Sequence, residues 1–239
     1  MPINSISVKL PGDVIDKEQL GIKGKKPLTG PGLSEDDGGI IQACKAGCLK
    51  LRTEGGCTLW IDNQQKRYVA TKGDAVIGVV TSRQTDTFIV DIGTSSPASL
   101  SYLSFENATK KNRPDVKVGD IVYGKLLVAN KHMEPEMVCI DSTGKAKGMG
   151  VIRTGGTLVY VSLQWARRLL SKECAFLSLL GDKLPYEVTV GLNGRVWVKG
   201  RSVEETVIII NLLKNSETIP DSMMSKYVNR ALNKLVGVK

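Results

Sequence analysis

The spacing of apolar residues changes character twice along this chain. From residue 1 to 70, short β-type runs, Ile6–Leu10, Ile40–Ala43 and Thr58–Ile61, are separated by Gly- and Pro-rich punctuation, which predicts a small all-β domain over 1–70. Inside it, Gly21–Gly39 carries Lys25-Lys26-Pro27, Gly30-Pro31-Gly32 and the acidic run Ser34-Glu35-Asp36-Asp37. This stretch is too polar and too broken for a core element and predicts an exposed loop. From Thr71 the strands crowd together: Lys72–Val80 with Gly78 inside it, the alternating Asp86–Gly93, Leu100–Leu103, Val118–Val128 and Met137–Asp141. Five short strands in so little chain predict an OB-type barrel over 71–145, a scaffold that binds oligonucleotides across one face and its rim loops.

From Gly148 the period lengthens, and an α+β domain is predicted over 146–239. Thr157–Val161 reads as a strand; Ser162 caps a helix through Leu170; Ser171 caps a second helix to Leu180, which Gly181 closes in the left-handed conformation. A hairpin, Tyr186–Val198, follows. Ser202-Val203-Glu204-Glu205 is a capping box that opens a third helix, and after Pro220 a fourth repeats Met224, Val228, Ala231 and Leu235 at spacings of three and four.

The hairpin carries the most specific local signal. Asn193-Gly194 between β-branched flanks predicts a two-residue primed turn with positive φ at both residues. Gly191 permits a close backbone approach just before it, and Trp197 anchors one strand from a buried position. Turn chemistry of this kind is structural and implies no ligand.

Composition narrows the class. The chain of 239 residues is 41% hydrophobic and 24% charged, ordinary values for a globular protein, and its 5% aromatic content argues against a stacking-rich pocket. No apolar run reaches the length needed to cross a bilayer, and the N-terminus lacks a basic start followed by an apolar core, so an intracellular protein with no membrane partner is expected. Five cysteines then read as reduced thiols. Cys44, Cys48 and Cys57 stand at irregular spacing and the single histidine, His132, is remote, so a closed zinc site is not expected; nor do the acids of 34–39 have a cation-binding frame. No nucleophile–base pair, phosphate-binding glycine loop or framed carboxylate cluster is present, which leaves no catalytic, metal or cofactor site to nominate. The net charge of +9, with most of the excess after residue 148, favours a polyanionic partner.

Lys72-Gly73-Asp74, Val118-Gly119-Asp120-Ile121-Val122 and Phe88–Gly93 resemble the S1 class of OB-type RNA-binding domains. In that class two aromatics and a histidine on the second and third strands contact bases. The resemblance places Phe88 at one aromatic position, with Thr85 and Ser101 where the other aromatic and the histidine would stand, so stacking is weakened. Arg83, Lys110, Lys111, Arg113 and Lys131 fall in rim loops and are the candidate phosphate contacts; the competing reading, loop charges kept for solubility, has Glu106, Asp115, Glu134 and Glu136 nearly cancelling them. The C-terminal element order resembles a KH domain, but the position of the RNA-gripping Gly-x-x-Gly loop reads Leu170-Ser171-Lys172-Glu173, and Gly191-Leu192-Asn193-Gly194 lies in the hairpin instead.

An all-β unit, an S1-type barrel and a KH-like domain with Gly-x-Asn-Gly together resemble the cap subunits of the eukaryotic RNA exosome over the whole chain. The resemblance implies a non-catalytic subunit seated on RNase PH-like ring subunits beside the other cap subunits, with no cofactor. Such a subunit guides RNA into the central channel for attached 3′-to-5′ exonucleases, in the nucleus, nucleolus and cytoplasm. The alternative from another class is a free-standing S1/KH RNA-binding protein acting in translation or ribosome assembly. Gly191, Asn193, Gly194 and Trp197 are expected to be architectural, with the hairpin packed against the barrel.

Overall fold

Short alternating strands build the first part of the chain. The computed structural model describes residues 4–16, 27–53, 56–130, 132–152, 155–171 and 174–236. The chain divides into two units, Met1–Gln65 and Lys66–Lys239. In the first, β1 (Asn4–Lys9), β2 (Val14–Ile15), β3 (Leu28–Thr29), β4 (Leu33–Glu35), β5 (Ile41–Ala43), β6 (Gly47–Arg52) and β7 (Thr58–Asp62) form two sheets, ordered β1-β6-β7-β3 and β2-β5-β4. Ile15, Ile41, Leu49, Leu51, Leu59 and Ile61 fill its core.

The expected exposed loop over 21–39 is corrected here: its residues 21–26 lie outside the described ones, and β3 and β4 occupy part of 27–39. These strands form through their backbone. Leu28 and Gly30 donate to the Cys57 and Leu59 carbonyls at 2.7 Å each. Gly30 lies so close to β7 that a Cβ would stand 2.9 Å from both the Leu59 oxygen and the Trp60 Cβ. Small, turn-prone residues thus allow a polar segment to be laid flat on a sheet.

In the second unit the barrel consists of β8 (Ala75–Arg83), β9 (Thr87–Asp91), β10 (Ala98–Ser101), β11 (Ile121–Val128) and β12 (Glu136–Val138). β12 runs parallel to β10 and antiparallel to β11, which closes the cylinder. Gly124 marks a tight approach: a Cβ there would lie 2.6 Å from Met137 Cε and 2.7 Å from the Val138 oxygen. Val76, Val80, Phe88, Val90, Ile92, Leu100, Val122, Leu126 and Met137 pack inside. The five expected strands are all present, though Leu100–Leu103 gives up its second half to a 3₁₀ turn at Tyr102–Ser104. A sixth strand, β13 (Gly150–Ile152), which the pattern does not predict, pairs with β11.

The remainder follows the predicted order: β14 (Thr157–Tyr160), α1 (Leu163–Leu170), α2 (Phe176–Gly181), β15 (Tyr186–Val190), β16 (Arg195–Gly200), α3 (Val203–Asn215) and α4 (Asp221–Val236). The helices cover a three-stranded sheet ordered β14-β16-β15, which is a KH-type α+β arrangement. Ser162 Oγ accepts from the Trp165 amide at 3.1 Å, and Ser202 Oγ accepts from the Glu205 amide at 3.1 Å, so both predicted caps form. The Trp165 indole N–H donates to the Leu213 carbonyl at 3.0 Å and tethers α1 to α3.

Two cap expectations are corrected. Ser171 closes α1, its amide donating to the Arg168 carbonyl at 3.0 Å, while α2 begins only at Phe176, after Ala175. Gly181 remains in the helix, followed by Asp182 in the right-handed conformation. The Leu184 amide satisfies the Leu180 carbonyl at 2.9 Å, so no left-handed residue is required there.

Candidate RNA interface

Alternation along β9 decides the fate of its aromatic. Thr87, Ile89 and Asp91 face outward while Phe88 and Val90 face the barrel interior. Phe88 is 3% exposed and meets Phe105 edge to face at 6.3 Å between centroids. Phe88 therefore cannot stack with a base in this conformation, and its assignment as an RNA-contacting aromatic is corrected to a core residue. Thr85 and Ser101 also have structural work: the Thr85 carbonyl accepts from Arg113, and Ser101 Oγ accepts from the Leu103 amide at 3.3 Å.

The rim is built by the connection between β8 and β9 and by the segment 105–117. Thr109 and Asn112 close a turn, Thr109 N–H to the Asn112 carbonyl and Asn112 N–H to Thr109 Oγ1, both at 3.0 Å. Lys110 and Lys111 are its central residues; both are exposed and neither forms an ion pair with a described residue. Arg113 ties the segment back to the barrel. One guanidinium nitrogen donates to the Thr85 carbonyl at 2.8 Å, a second lies 3.5 Å from Asp86, and the plane lies 4.7 Å from the centroid of the buried Tyr102 ring. Arg83, exposed at the end of β8, has its guanidinium 6.0 Å from the Phe88 centroid.

Arg83, Lys110, Lys111 and Arg113 thus share one end of the barrel, where Thr87 pairs with Ser101. Lys131 lies outside the described residues. Its neighbours Asn130 and His132 belong to the connection between β11 and β12, at the opposite end, where Ser99 meets Glu136. Of the acids weighed against these cations, Glu106 is engaged, accepting from the Ala146 amide at 2.9 Å. The described rim therefore carries exposed cations on a hydrogen-bonded turn, while the aromatic of β9 is buried. Among the described residues, no three of His, Cys, Asp and Glu gather as a metal site would require.

The Gly-x-Asn-Gly loop has a different task. Pairing of β9 with β8 ends at Asp91 opposite Val79, which leaves Ile77 without a strand on that side. The Asn193 carboxamide takes the missing place. Its Nδ2 donates to the Ile77 carbonyl at 2.8 Å and to the Ile92 carbonyl at 2.9 Å, and its Oδ1 accepts from the Ile77 amide at 3.3 Å. The Leu192 amide extends the pattern to the Ala75 carbonyl at 2.8 Å. Arg195, 5% exposed, donates to the Asp91 carbonyl at 2.5 Å and to its carboxylate at 2.6 Å. Burial works against the Asp91 carboxylate, but the Arg195 hydrogen bond, the Gly93 amide and the Arg195 charge hold its pKa below the usual range.

The turn itself is corrected. Gly194 has φ +76°, whereas Asn193 is not in the left-handed region. Gly191 N–H bonds the Arg195 carbonyl at 2.8 Å and Gly194 N–H bonds the Gly191 carbonyl at 3.1 Å, a three-residue loop closed by one left-handed glycine. A Cβ on Gly191 would lie 2.8 Å from the Ile77 nitrogen, and one on Gly194 2.6 Å from the Val161 oxygen. The hairpin does pack against the barrel, through Leu192, Asn193 and Arg195. Trp197, 5% exposed, instead lies against Gly156, where a Cβ would stand 2.6 Å from its indole nitrogen. Leu163 at the start of α1 completes the seam by joining the barrel core. The sequence did not single out Asp91 or Ile77 as partners of the hairpin; Asn193 was visible as a turn residue and as part of Gly-x-Asn-Gly, without its partners.

Comparison with known proteins agrees with this architecture. Residues 68–150 match the family described as Exosome complex component RRP40, S1 domain, and residues 156–204 match the KH domain family. The Exosome complex component RRP40 of Homo sapiens is 48% identical over 207 residues, covering 85% of this chain and 75% of that protein. That of Bos taurus is 46% identical over 233 residues, covering 88% and 84%. A solved structure described as a proposed exosome complex RNA-binding protein shares the fold with a TM-score of 0.58 at 22% identity, covering 71% of this chain and 99% of that one. With a seam built on Gly-x-Asn-Gly, and with relatives this similar over most of both lengths, the chain belongs to the RRP40 family of exosome complex components.

Proposed function

We propose that this chain is a non-catalytic, RNA-binding cap subunit of the RNA exosome. It helps assemble the complex on its RNase PH-like ring beside the other cap subunits, and guides RNA toward attached 3′-to-5′ exonucleases for processing and decay. Membership of the RRP40 family over most of the chain carries this reading. The rim supports the RNA part: Arg83 and the Lys110–Lys111 turn offer cations to phosphates while Phe88 is withdrawn into the core. Such contacts are indifferent to base identity and weaken with salt, which suits a protein that passes varied RNA along. The setting for this work is the nucleus, nucleolus and cytoplasm.

Affinity purification from cells that express the tagged full chain is the test. Recovery of a large assembly containing RNase PH-like subunits is expected, with weak RNA binding by the isolated chain. A lone monomer with tight RNA affinity and a steep salt dependence would instead establish a free-standing RNA-binding protein.

A further inference from the structure

Arg113 looks like one more cation for the phosphate backbone, but its surroundings give it a different role. Its guanidinium is already committed on three sides: to the Thr85 carbonyl, toward Asp86 and over the Tyr102 ring. Tyr102 is 7% exposed, and its own amide bonds the Asp86 carbonyl at 3.3 Å, so the surface that receives Arg113 is part of the barrel. In the chain, Arg113 directly follows Asn112, which closes the turn on Thr109 and donates from its side-chain amide to the Asn107 carbonyl at 3.2 Å. Lys110 and Lys111 sit at the tip of this turn without a described ionic partner.

We propose that Arg113 is a positioning residue: it latches the 105–117 segment onto the β8–β9 connection, and so presents Lys110 and Lys111 as a preformed contact for successive RNA phosphates. The inference rests on the RNA-guiding role proposed above. A planar fork suits the latch, because it bonds a carbonyl in its plane while its face lies on an aromatic ring; an ammonium does one or the other. Fixing the turn before RNA arrives removes an ordering cost from binding. The ion pair with Asp86 adds little, since both side chains are largely exposed, at 43% and 68%. The carbonyl bond and the ring contact therefore carry the latch.

The test is a mutant cycle on the full chain, read by fluorescence anisotropy with a 5′-labelled single-stranded oligouridylate at about 50 mM salt, where phosphate contacts weigh most. Melting curves establish that each variant is folded. Lys110→Ala/Lys111→Ala is expected to weaken binding roughly tenfold and to flatten the salt dependence by about two phosphate contacts. Arg113→Gln should weaken binding in the wild-type background but by less than about twofold on top of the double lysine variant, as expected for groups that act as one unit. Arg113→Lys, which keeps the charge, should bind as poorly as Arg113→Gln. Wild-type affinity in Arg113→Lys, or an equal loss from Arg113→Gln in both backgrounds, would make Arg113 a direct phosphate contact and overturn the proposal. An unchanged affinity in the double lysine variant would be a different failure, since it would remove the rim itself from RNA binding and the latch with it.

Discussion

Replacing Asn193 by Ala probes the seam between barrel and KH-like sheet at its narrowest point. The residue is 8% exposed, and its side chain fills the place of a missing strand against Ile77. Truncation removes both partners from the Ile77 backbone on that side and one from the Ile92 carbonyl, leaving three backbone groups unpaired at a buried position. At about 1 kcal/mol per orphaned group, the lower end of the range because water can reach a truncated site, the loss is about 3 kcal/mol. For a unit of this size that corresponds to a fall in melting temperature of about 6–12 °C. Asn193→Asp sharpens the argument. It keeps the shape but puts a carboxylate oxygen against two carbonyls that need a donor, so it should be at least as damaging as Ala. Its deficit should shrink as pH falls toward about 4, where the introduced acid is protonated and donates again. Thermal melts of the full chain at several pH values decide this. If Asn193→Ala melts within about 1 °C of wild type, the carboxamide is not what joins the two parts.

Phe88→Ala should cost about 3–5 kcal/mol of stability by emptying a core position, and the folded fraction should bind RNA with unchanged affinity, checked by chemical denaturation beside anisotropy. Asp91, held below the usual carboxylate range, contributes stability that is complete above its unfolded pKa of about 3.9 and disappears as pH falls through its lower folded value; Asp91→Asn should lack that acid-side loss in urea melts. Burial pushes the Cys139 thiol up to about 12, whereas Cys44 and Cys48 are exposed, so a thiol reagent near neutral pH should label the latter two first and reach Cys139 only on unfolding, as peptide mapping would show.

Much of the fold was legible because local chemistry and tertiary structure agree. Ser162 and Ser202 announce their helices, and the order of strands and helices from Thr157 onward follows from periodicity and caps. Reading failed where backbone pairing, not side-chain pattern, made the structure. β3 and β13 are held by strands about 30 residues away in the chain, β4 by the neighbouring β5, and all three have too few residues to show a period. Ser171, expected to cap the second helix, serves as the end of the first instead. The candidate site was legible in part. Loop cations were visible, and the alternation of β9 already pointed Phe88 inward beside Val90, a signal that outranks a match to an aromatic position in the S1 class. The partners of Arg113 were not visible, because Thr85, Asp86 and Tyr102 meet it only after the barrel closes. Asn193 showed as a turn residue, yet its use as a substitute strand depends on where β9 stops, which nothing in the hairpin encodes.

The central claim is that RNA passes over the barrel rim while the Gly-x-Asn-Gly loop serves architecture. Mapping RNA cross-links on the assembled complex addresses it most directly. Cross-linked peptides concentrated at Arg83 and the Lys110–Arg113 segment, with none in the Gly191–Gly194 loop, are the predicted result. Cross-links clustered on the KH-like helices or in that loop, with a silent rim, would contradict it.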